Sequence, residues 1–186
     1  KYIKIRGNVI KSSVTTDYYM RNGNKVFVFE SKDIFINAKV KNSYDFNEYE
    51  NCLKKKLYFD TNEKNKIELK AVKQLAFFIE SLLSSCFKDD MGINSKKIQI
   101  YPIIILHNRQ LDILGLNCMI NTWFMDELEL LKAKKIKTTN VHNITIINID
   151  TLIIFQEQLK NGAIQLEKVI SEYHRKINYW SKCNTN

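Results

Sequence analysis

Residues 16–32 decide the fold, and their sequence is TDYYMRNGNKVFVFESK. The pair Asn22-Gly23 lies between two β-rich segments, residues 14–20 and residues 25–36. An Asn-Gly pair between such segments favours a two-residue type I′ turn, because both central positions of that turn need a positive φ. The sequence therefore predicts a β-hairpin here, with Asn22 and Gly23 as its loop.

The predicted hairpin places three charged side chains on one face. With that loop, Asp17 stands opposite Val28, and side chains two apart on a strand share a face. Glu30 is then a diagonal neighbour of Asp17, roughly 7–8 Å away at the backbone, and Lys32 follows on the same face. Two carboxylates at this spacing can bind one Mg²⁺, which prefers oxygen ligands and keeps several waters. A lysine beside the metal suits phosphate chemistry, because it stabilises developing negative charge. The alternative is that these residues are the solvated face of an ordinary hairpin.

Outward from the hairpin, the spacing of apolar residues predicts alternating strands and helices. Strands are predicted at residues 2–10 (with a bulge at Gly7), 98–106 and 143–149. Helices are predicted at residues 44–59, about 67–86, the second half of 115–131, 150–158 and 164–180. Pro102 argues that its strand lies at an edge of the sheet or begins there. We expect one α/β domain over residues 1–186.

Composition restricts the class of protein further. The 186 residues carry a formal net charge of +9, which favours a polyanionic partner. A genome-wide bias towards Lys, Ile and Asn is the alternative explanation of that charge. The four cysteines contain no CxxC pair, so no zinc site is expected. The three scattered histidines are expected to be surface or structural residues rather than catalytic ones. No apolar run has membrane-spanning length and no export leader opens the chain, so we expect a cytoplasmic protein without a membrane partner.

The charged residues of the hairpin resemble the motif of the PD-(D/E)xK nuclease superfamily, whose fold is called restriction-endonuclease-like. Asp17 matches the first motif position, preceded by Thr16 where the family often has proline, and Glu30 and Lys32 match the (D/E)xK part. The family core runs helix, three strands, helix, strand, which corresponds to about residues 2–106 here, with residues 107–186 as a C-terminal strand-and-helix elaboration. The family's first helix, which often contributes an acidic ligand, has no counterpart before Lys1.

The resemblance implies a mixed sheet flanked by helices and a role for each motif residue. Asp17 and Glu30 would bind Mg²⁺ or Mn²⁺ together with the Ser31 carbonyl, and Lys32 would assist the attacking water. Gln74, on the helix after the motif, would point at the same site. The lysines expected along that helix would hold the nucleic-acid backbone: Lys66, Lys70 and Lys73.

The function implied is that of a metal-dependent endonuclease that hydrolyses phosphodiester bonds, with DNA preferred over RNA, in restriction or phage defence. A homodimer or a larger defence complex is the expected assembly. The alternative is a catalytically inactive module of the same fold that binds nucleic acid or a partner protein. An α/β enzyme with unrelated chemistry finds no support, since the sequence has no Gly-rich phosphate loop, no serine elbow and no Cys/His pair.

Overall fold

A computed structural model describes residues 2–6, 16–84 and 97–183 of the chain. In these ranges the strands are β1 (Tyr2–Arg6), β2 (Tyr18–Asn22), β3 (Lys25–Lys32), β4 (Phe59–Thr61), β5 (Ile67–Leu69), β6 (Gln99–Leu106) and β7 (Thr145–Asn148). The helices are α1 (Ala38–Asn42), α2 (Phe46–Leu57), α3 (Ala71–Leu83), α4 (Leu116–Ala133), α5 (Ile149–Ile154), α6 (Gln156–Lys160) and α7 (Leu166–Cys183).

Five strands form one mixed sheet in the order β1-β2-β3-β6-β7. The first three strands are antiparallel neighbours, whereas β3, β6 and β7 run parallel to one another. A parallel pair needs a long crossover connection, and the one between β3 and β6 contains α1, α2 and α3. It also contains a separate two-stranded sheet of β4 and β5.

Helices cover both faces of the five-stranded sheet. On one face α2, α3 and α4 enclose a large cluster of buried side chains, the main core, to which β3 contributes Val26 and Val28. On the other face α7 and α5 cover a smaller cluster, the second core, which includes Phe27 and Ile170. The expected α/β class, with a mixed sheet flanked by helices, is confirmed. Within the described ranges, no helix combines the length and the apolar character needed to cross a membrane.

The hairpin of β2 and β3 is confirmed, but its turn lies one residue later than predicted. Asn22 pairs with Lys25, so Gly23 and Asn24 form the loop. Gly23 has a φ of 59° and occupies the first central position, which is the arrangement of a type II′ turn rather than type I′. Each residue of β2 consequently pairs with a residue two positions further along β3 than predicted. Face assignments are unchanged, because side chains alternate with a period of two.

Several helix and strand boundaries differ from the predictions. Residues 67–69 form β5, which pairs with β4, so the helix expected from about residue 67 begins only at Ala71. The strand β3 ends at Lys32, and α4 occupies both halves of its segment because Gly115, with a φ of 87°, provides the turn directly before it. The helix expected over residues 150–158 divides at Phe155. The bend or bulge expected at Gly7 and the other predictions for residues 7–15 and 85–96 lie outside the described residues.

Pro102 lies in a central strand, contrary to the edge position that the sequence predicted. The strand β6 pairs with β3 on one side and β7 on the other, and Pro102 pairs with Val28. The N–H of Ile100 points to the β7 side, where it donates to the Asn140 carbonyl. The imide nitrogen of Pro102, two residues later, points the same way, but pairing with β7 begins only at Ile103. The missing donor falls between the bridge of Ile100 with Val141 and the pairing with β7, so it removes no hydrogen bond from that pairing.

A core truncation on α3 tests this packing. Leu75 is fully buried in the main core, whereas Phe77 on the same helix is 46% exposed. We expect Leu75→Ala to lower the free energy of unfolding by about 2–5 kcal/mol, because it leaves a cavity in a close-packed core. Phe77→Ala is the matched control and should cost less than about 1 kcal/mol. Urea unfolding followed by circular dichroism measures both, and equal losses would contradict the helix orientation described here.

Candidate metal-binding site

The three charged residues that the sequence singled out meet at one edge of the five-stranded sheet. Glu30 and Lys32 lie at the carboxyl end of β3, and Asp17 immediately precedes β2. The parallel strand β6 ends beside them, with Leu106 paired to Lys32. In open α/β sheets, ligands bind outside the carboxyl ends of the parallel strands. This edge is therefore the part of the fold where a binding site is expected.

Two hydrogen bonds to β3 hold Asp17 in place. The hydroxyl of Thr16, a buried side chain, donates to the Phe29 carbonyl at 2.7 Å. The Ser31 N–H donates to Asp17 Oδ2 at 2.8 Å. Side chains thus replace the backbone partners that β2 would provide if it extended further. The carboxylate of Asp17 is consequently positioned by β3 itself, beside the motif residues.

Glu30 is the direct partner of Asp17 across the hairpin and not its diagonal neighbour. Tyr18 pairs with Phe29, so the next pair in this register is Asp17 with Glu30. Directly opposed residues have Cβ atoms about 4.5–5.5 Å apart, which is closer than the spacing predicted from the sequence. The same-face placement of the two carboxylates is unaffected, and the shorter spacing favours a shared cation.

Burial makes Glu30 chemically unusual. The residue is only 1% exposed, because its side chain follows Val26 and Val28 on the face that packs on the main core. Burial raises the pKa of Glu30 to about 7, the Lys32 ammonium opposes this rise, and the neighbouring Asp17 carboxylate adds to it. Loss of hydration and the nearby negative charge of Asp17 both disfavour the ionised form of Glu30. A divalent cation here would relieve both effects.

Lys32 is the group that balances this charge in the structure. Its ammonium donates to Glu30 Oε2 at 3.2 Å, and its side chain is 21% exposed. The nitrogen is thus close to the carboxylates and still accessible from the solvent side. A lysine in this position can reach a phosphate that enters from the edge of the sheet.

Ser31 directs its side chain to the face of the sheet opposite to that of Glu30 and Lys32, and it directs its backbone groups towards Asp17. Its N–H points towards Asp17, and the carbonyl of an extended residue points to the same side as its N–H. The carbonyl therefore faces the Asp17 side, as the role of a metal ligand requires. The Ser31 hydroxyl lies on the opposite face of the sheet, where it shares a 2.7 Å hydrogen bond with His107 Nε2.

His107 also lies at this edge, and its exposed side chain agrees with the expectation of a surface or structural histidine. Its backbone N–H donates to the Lys32 carbonyl, and its side chain is exposed. The sequence indicates this position, because His107 directly follows the apolar strand β6. Residues that follow parallel strands meet at the same edge of a sheet.

Gln74 lies on the side of α3 that approaches the same edge. The Phe78 ring, one turn further along α3, contacts Tyr19 of β2 with centroids 6.2 Å apart. A helix that connects two parallel strands runs antiparallel to them, so α3 runs in the same direction as β2. Gln74 precedes Phe78 by one helical turn and Asp17 precedes Tyr19 by two residues. Both therefore lie towards the same end of the sheet. Gln74 Oε1 is buried and accepts no hydrogen bond from any described residue. A buried acceptor without a partner is costly, and the role of Gln74 at the site stays a prediction.

The three lysines predicted to hold nucleic acid do not form a row on one helix. Lys66 lies in the turn between β4 and β5, and Lys70 precedes α3, where it pairs with Glu68 at 2.9 Å. Lys73, the one residue of the three on α3, pairs with Glu127 at 2.8 Å and lies over two aromatic rings. The expected helical arrangement is wrong because residues 67–69 form a strand. Contact with nucleic acid stays a prediction for these residues.

The donor set at this edge fits a magnesium-type ion. The oxygens of Asp17 and Glu30 and the Ser31 carbonyl are hard ligands, and Mg²⁺ or Mn²⁺ needs only a few protein oxygens with water in the other positions. Among the described residues, no group of three or more His, Cys, Asp and Glu side chains forms a metal cluster. A cation here is therefore expected to have two carboxylates and to keep several waters.

Comparison with known proteins adds no family assignment. A scan against protein-family models finds none that matches this chain. A search of curated proteins also finds no match. The geometry and chemistry of the site therefore remain the observations that bear on function.

The raised pKa of Glu30 makes a prediction for metal-free protein. The folded state binds this proton up to about pH 7, whereas an unfolded glutamate releases it near pH 4.5. Protonated Glu30 therefore contributes to the free energy of unfolding at low pH. This contribution, on the order of 3 kcal/mol, is lost as the pH rises from 4.5 through 7. We expect Glu30→Gln to remove that loss.

Thermal unfolding in EDTA between pH 4.5 and 8.5 measures the effect as the difference between parent and variant. Glu63→Gln, at an exposed position in the β4–β5 turn, is the matched control and should keep the parent's pH dependence. A constant difference between the parent and Glu30→Gln across this range would contradict the burial of an ionisable Glu30.

Proposed function

We propose that this chain is a metal-dependent nuclease with a restriction-endonuclease-like fold, acting on DNA in preference to RNA. The observation that carries the proposal is the buried Glu30 carboxylate, with Asp17 opposite it and the Lys32 ammonium 3.2 Å from it. Two acidic groups that could hold a metal ion, with one basic group beside them, suit metal-assisted phosphodiester hydrolysis. The net charge of +9 supports a polyanionic substrate.

The connectivity of the sheet also supports this fold. An antiparallel meander of β1, β2 and β3 is followed, after the inserted elements α1, α2, β4 and β5, by α3 and by β6, which pairs with β3 in parallel. This order agrees with the three strands, helix and strand of the nuclease core that the motif resembles. The motif residues lie where that core has its active site, at the start of the second strand and the end of the third.

Each residue of the site has a distinct task in the proposed reaction. The bound cation would polarise the scissile phosphate and lower the pKa of a coordinated water. Asp17 and Glu30 would hold the cation, and the Ser31 carbonyl faces the same side. Lys32 takes part in two ways, since its ammonium orients the attacking water and stabilises the charge that develops on the phosphate oxygens. Gln74 offers its buried carbonyl oxygen to a water at the site.

Lys32 changes its partner in this scheme. In the structure its ammonium donates to Glu30, which keeps the buried carboxylate from standing alone. A cation bound between Glu30 and Asp17 would take over that neutralising role and leave the ammonium to the substrate phosphate. The hydrogen bond between Lys32 and Glu30 is therefore the contact that metal and substrate would replace together.

A cleavage assay tests the proposal. We expect the protein to cut plasmid DNA with Mg²⁺ or Mn²⁺ and to be inactive in EDTA. Lys32→Met should lower the rate about 100- to 1000-fold, because it removes a charge that stabilises the transition state. Lys137→Met is the matched control and should cleave like the parent. Lys137 is exposed in the segment before Val141, at the opposite end of β6.

Two results of that assay would count against a nuclease. Cleavage by Lys32→Met at the parental rate would remove the site from the reaction. No cleavage of DNA or RNA under any metal condition, with nucleic-acid binding retained, would favour the inactive module of the same fold.

Metal binding can be measured separately from activity. We expect Mn²⁺ to raise the midpoint of thermal unfolding, and a concentration of 100 times Kd corresponds to about 2.7 kcal/mol of stabilisation. The shift should be larger at pH 8 than at pH 6, because the cation competes with the proton on Glu30, whose pKa is raised to about 7. Asp17→Asn should abolish most of the shift. An unchanged shift in that variant would place the cation elsewhere.

A further inference from the structure

Residues 33–46 connect the end of β3 to the start of α2, so they begin directly after Lys32. Two side chains anchor this segment, because Ile36 is fully buried in the main core and Ile34 packs against it. The helix α1 lies within the segment and begins with Asn37, whose side chain accepts the Lys39 N–H. The segment thus starts beside Lys32 in the chain and is held in place by packing on the main core.

Three aromatic side chains of this segment and of the first position of α2 face solvent. Phe35 is 60% exposed, Tyr44 is 96% exposed and Phe46 is 66% exposed. Aromatic residues usually contribute to a core or an interface, and here three within one short connection contribute little to either core. We call Phe35, Tyr44 and Phe46 the aromatic surface.

Cationic groups accompany these rings. The ammonium of Lys41 lies 5.1 Å above the centre of the Phe35 ring, and Lys39 on the same helix is exposed. Acidic residues are also present, since Asp33 and Glu48 are exposed and Asp45 accepts two backbone N–H groups at the start of α2. Rings combined with lysines are the chemistry that binds single-stranded nucleic acid: bases stack on the rings and phosphates contact the ammonium groups.

Tyr44 has a backbone conformation that a tyrosine rarely adopts. Its φ is 54°, in the left-handed region that glycine and asparagine enter most readily. The turn before α2 needs this conformation, but it does not need an aromatic ring, and a ring that is 96% exposed adds almost no packing. A residue type that disfavours the backbone conformation it adopts, and whose side chain adds no packing, indicates a functional role.

We propose that the aromatic surface binds an unpaired stretch of a nucleic-acid strand and leads it to the metal site, so that the substrate is single-stranded or locally unpaired. Bases of an unpaired strand are free to stack on Phe35, Tyr44 and Phe46, whereas the bases of a duplex are already stacked on one another. Phosphates of the same strand contact Lys39 and Lys41 and continue to Lys32. The binding part stands on the exposed rings and lysines alone. The cleavage part rests on the proposed function.

Fluorescence anisotropy in EDTA tests the binding without turnover. The probes are labelled oligo-dT and oligo-U of about 20 nucleotides and a DNA duplex of equal length. We expect both single strands to bind more tightly than the duplex, and we expect Tyr44→Asn to weaken single-strand binding at least about fivefold while changing duplex binding less than about twofold. Asparagine tolerates the left-handed conformation, so this variant should not unfold at a lower temperature than the parent.

Three further variants make the test specific. Tyr44→Phe keeps a ring for stacking and should bind like the parent. Phe35→Ser removes a different ring of the same surface and should weaken single-strand binding as Tyr44→Asn does. Phe155→Ala removes a ring that is 43% exposed beside α7, on the other face of the sheet, and should leave binding unchanged.

The results separate this inference from the proposed nuclease. Duplex binding as tight as single-strand binding, or unchanged affinity in both Tyr44→Asn and Phe35→Ser, overturns the inference even if Lys32-dependent cleavage is observed. Weakened single-strand binding in both variants supports it, and it does so even if no metal condition yields cleavage. A preference between oligo-dT and oligo-U identifies which of the two strands the surface favours.

Discussion

Glu30 lies at the carboxyl end of β3 in the same row of side chains as Val26 and Val28, which pack in the main core. A carboxylate in such a row loses most of its hydration, and its ionisation then depends on the few charges within reach. Asp17 and Lys32 are those charges. The position of Thr16, the length of β3 and the start of β2 all serve to bring these groups together. Burial of one acidic side chain therefore determines the chemistry of this edge.

The arrangement depends on strand pairings that lie far apart in the chain. The hairpin brings Asp17 to Glu30, and the parallel pairing with β6 brings His107 to Ser31 across 76 residues. The hairpin and the end of β6 thus supply polar groups of the same edge from distant parts of the chain. Parallel pairing has this effect because it aligns strand ends that a long connection separates.

Local patterns predicted the hairpin and the faces of its strands correctly. Alternation along an extended chain depends only on the backbone, so the shared face of Asp17, Glu30 and Lys32 survived a loop that was misplaced by one residue. Local patterns failed where two structures compete for one segment. Residues 67–69 continue the periodicity of a helix, but they form β5 because β4 offers them a partner. The expected lysine row disappeared with that part of the helix.

Pro102 is a second position at which the residue type alone did not indicate the structure. Its residue type correctly indicated a missing hydrogen-bond donor, but only the sheet shows that pairing with β7 begins one residue later, at Ile103. Gln74 was expected at the site from its place in the chain after the motif. Its unpartnered buried oxygen is a property of packing that no sequence pattern reports.

The sequence by itself determined the hairpin, the side of the sheet on which its charged residues lie, and the alternation of strands and helices, since these follow from local backbone geometry. The tertiary structure alone decided that Glu30 is buried, that Asp17 stands directly opposite it and that His107 joins the same edge. The exposure of Phe35, Tyr44 and Phe46 was also decided there. Burial and long-range pairing depend on how distant segments pack, and hydration, pKa and access to a ligand depend on burial.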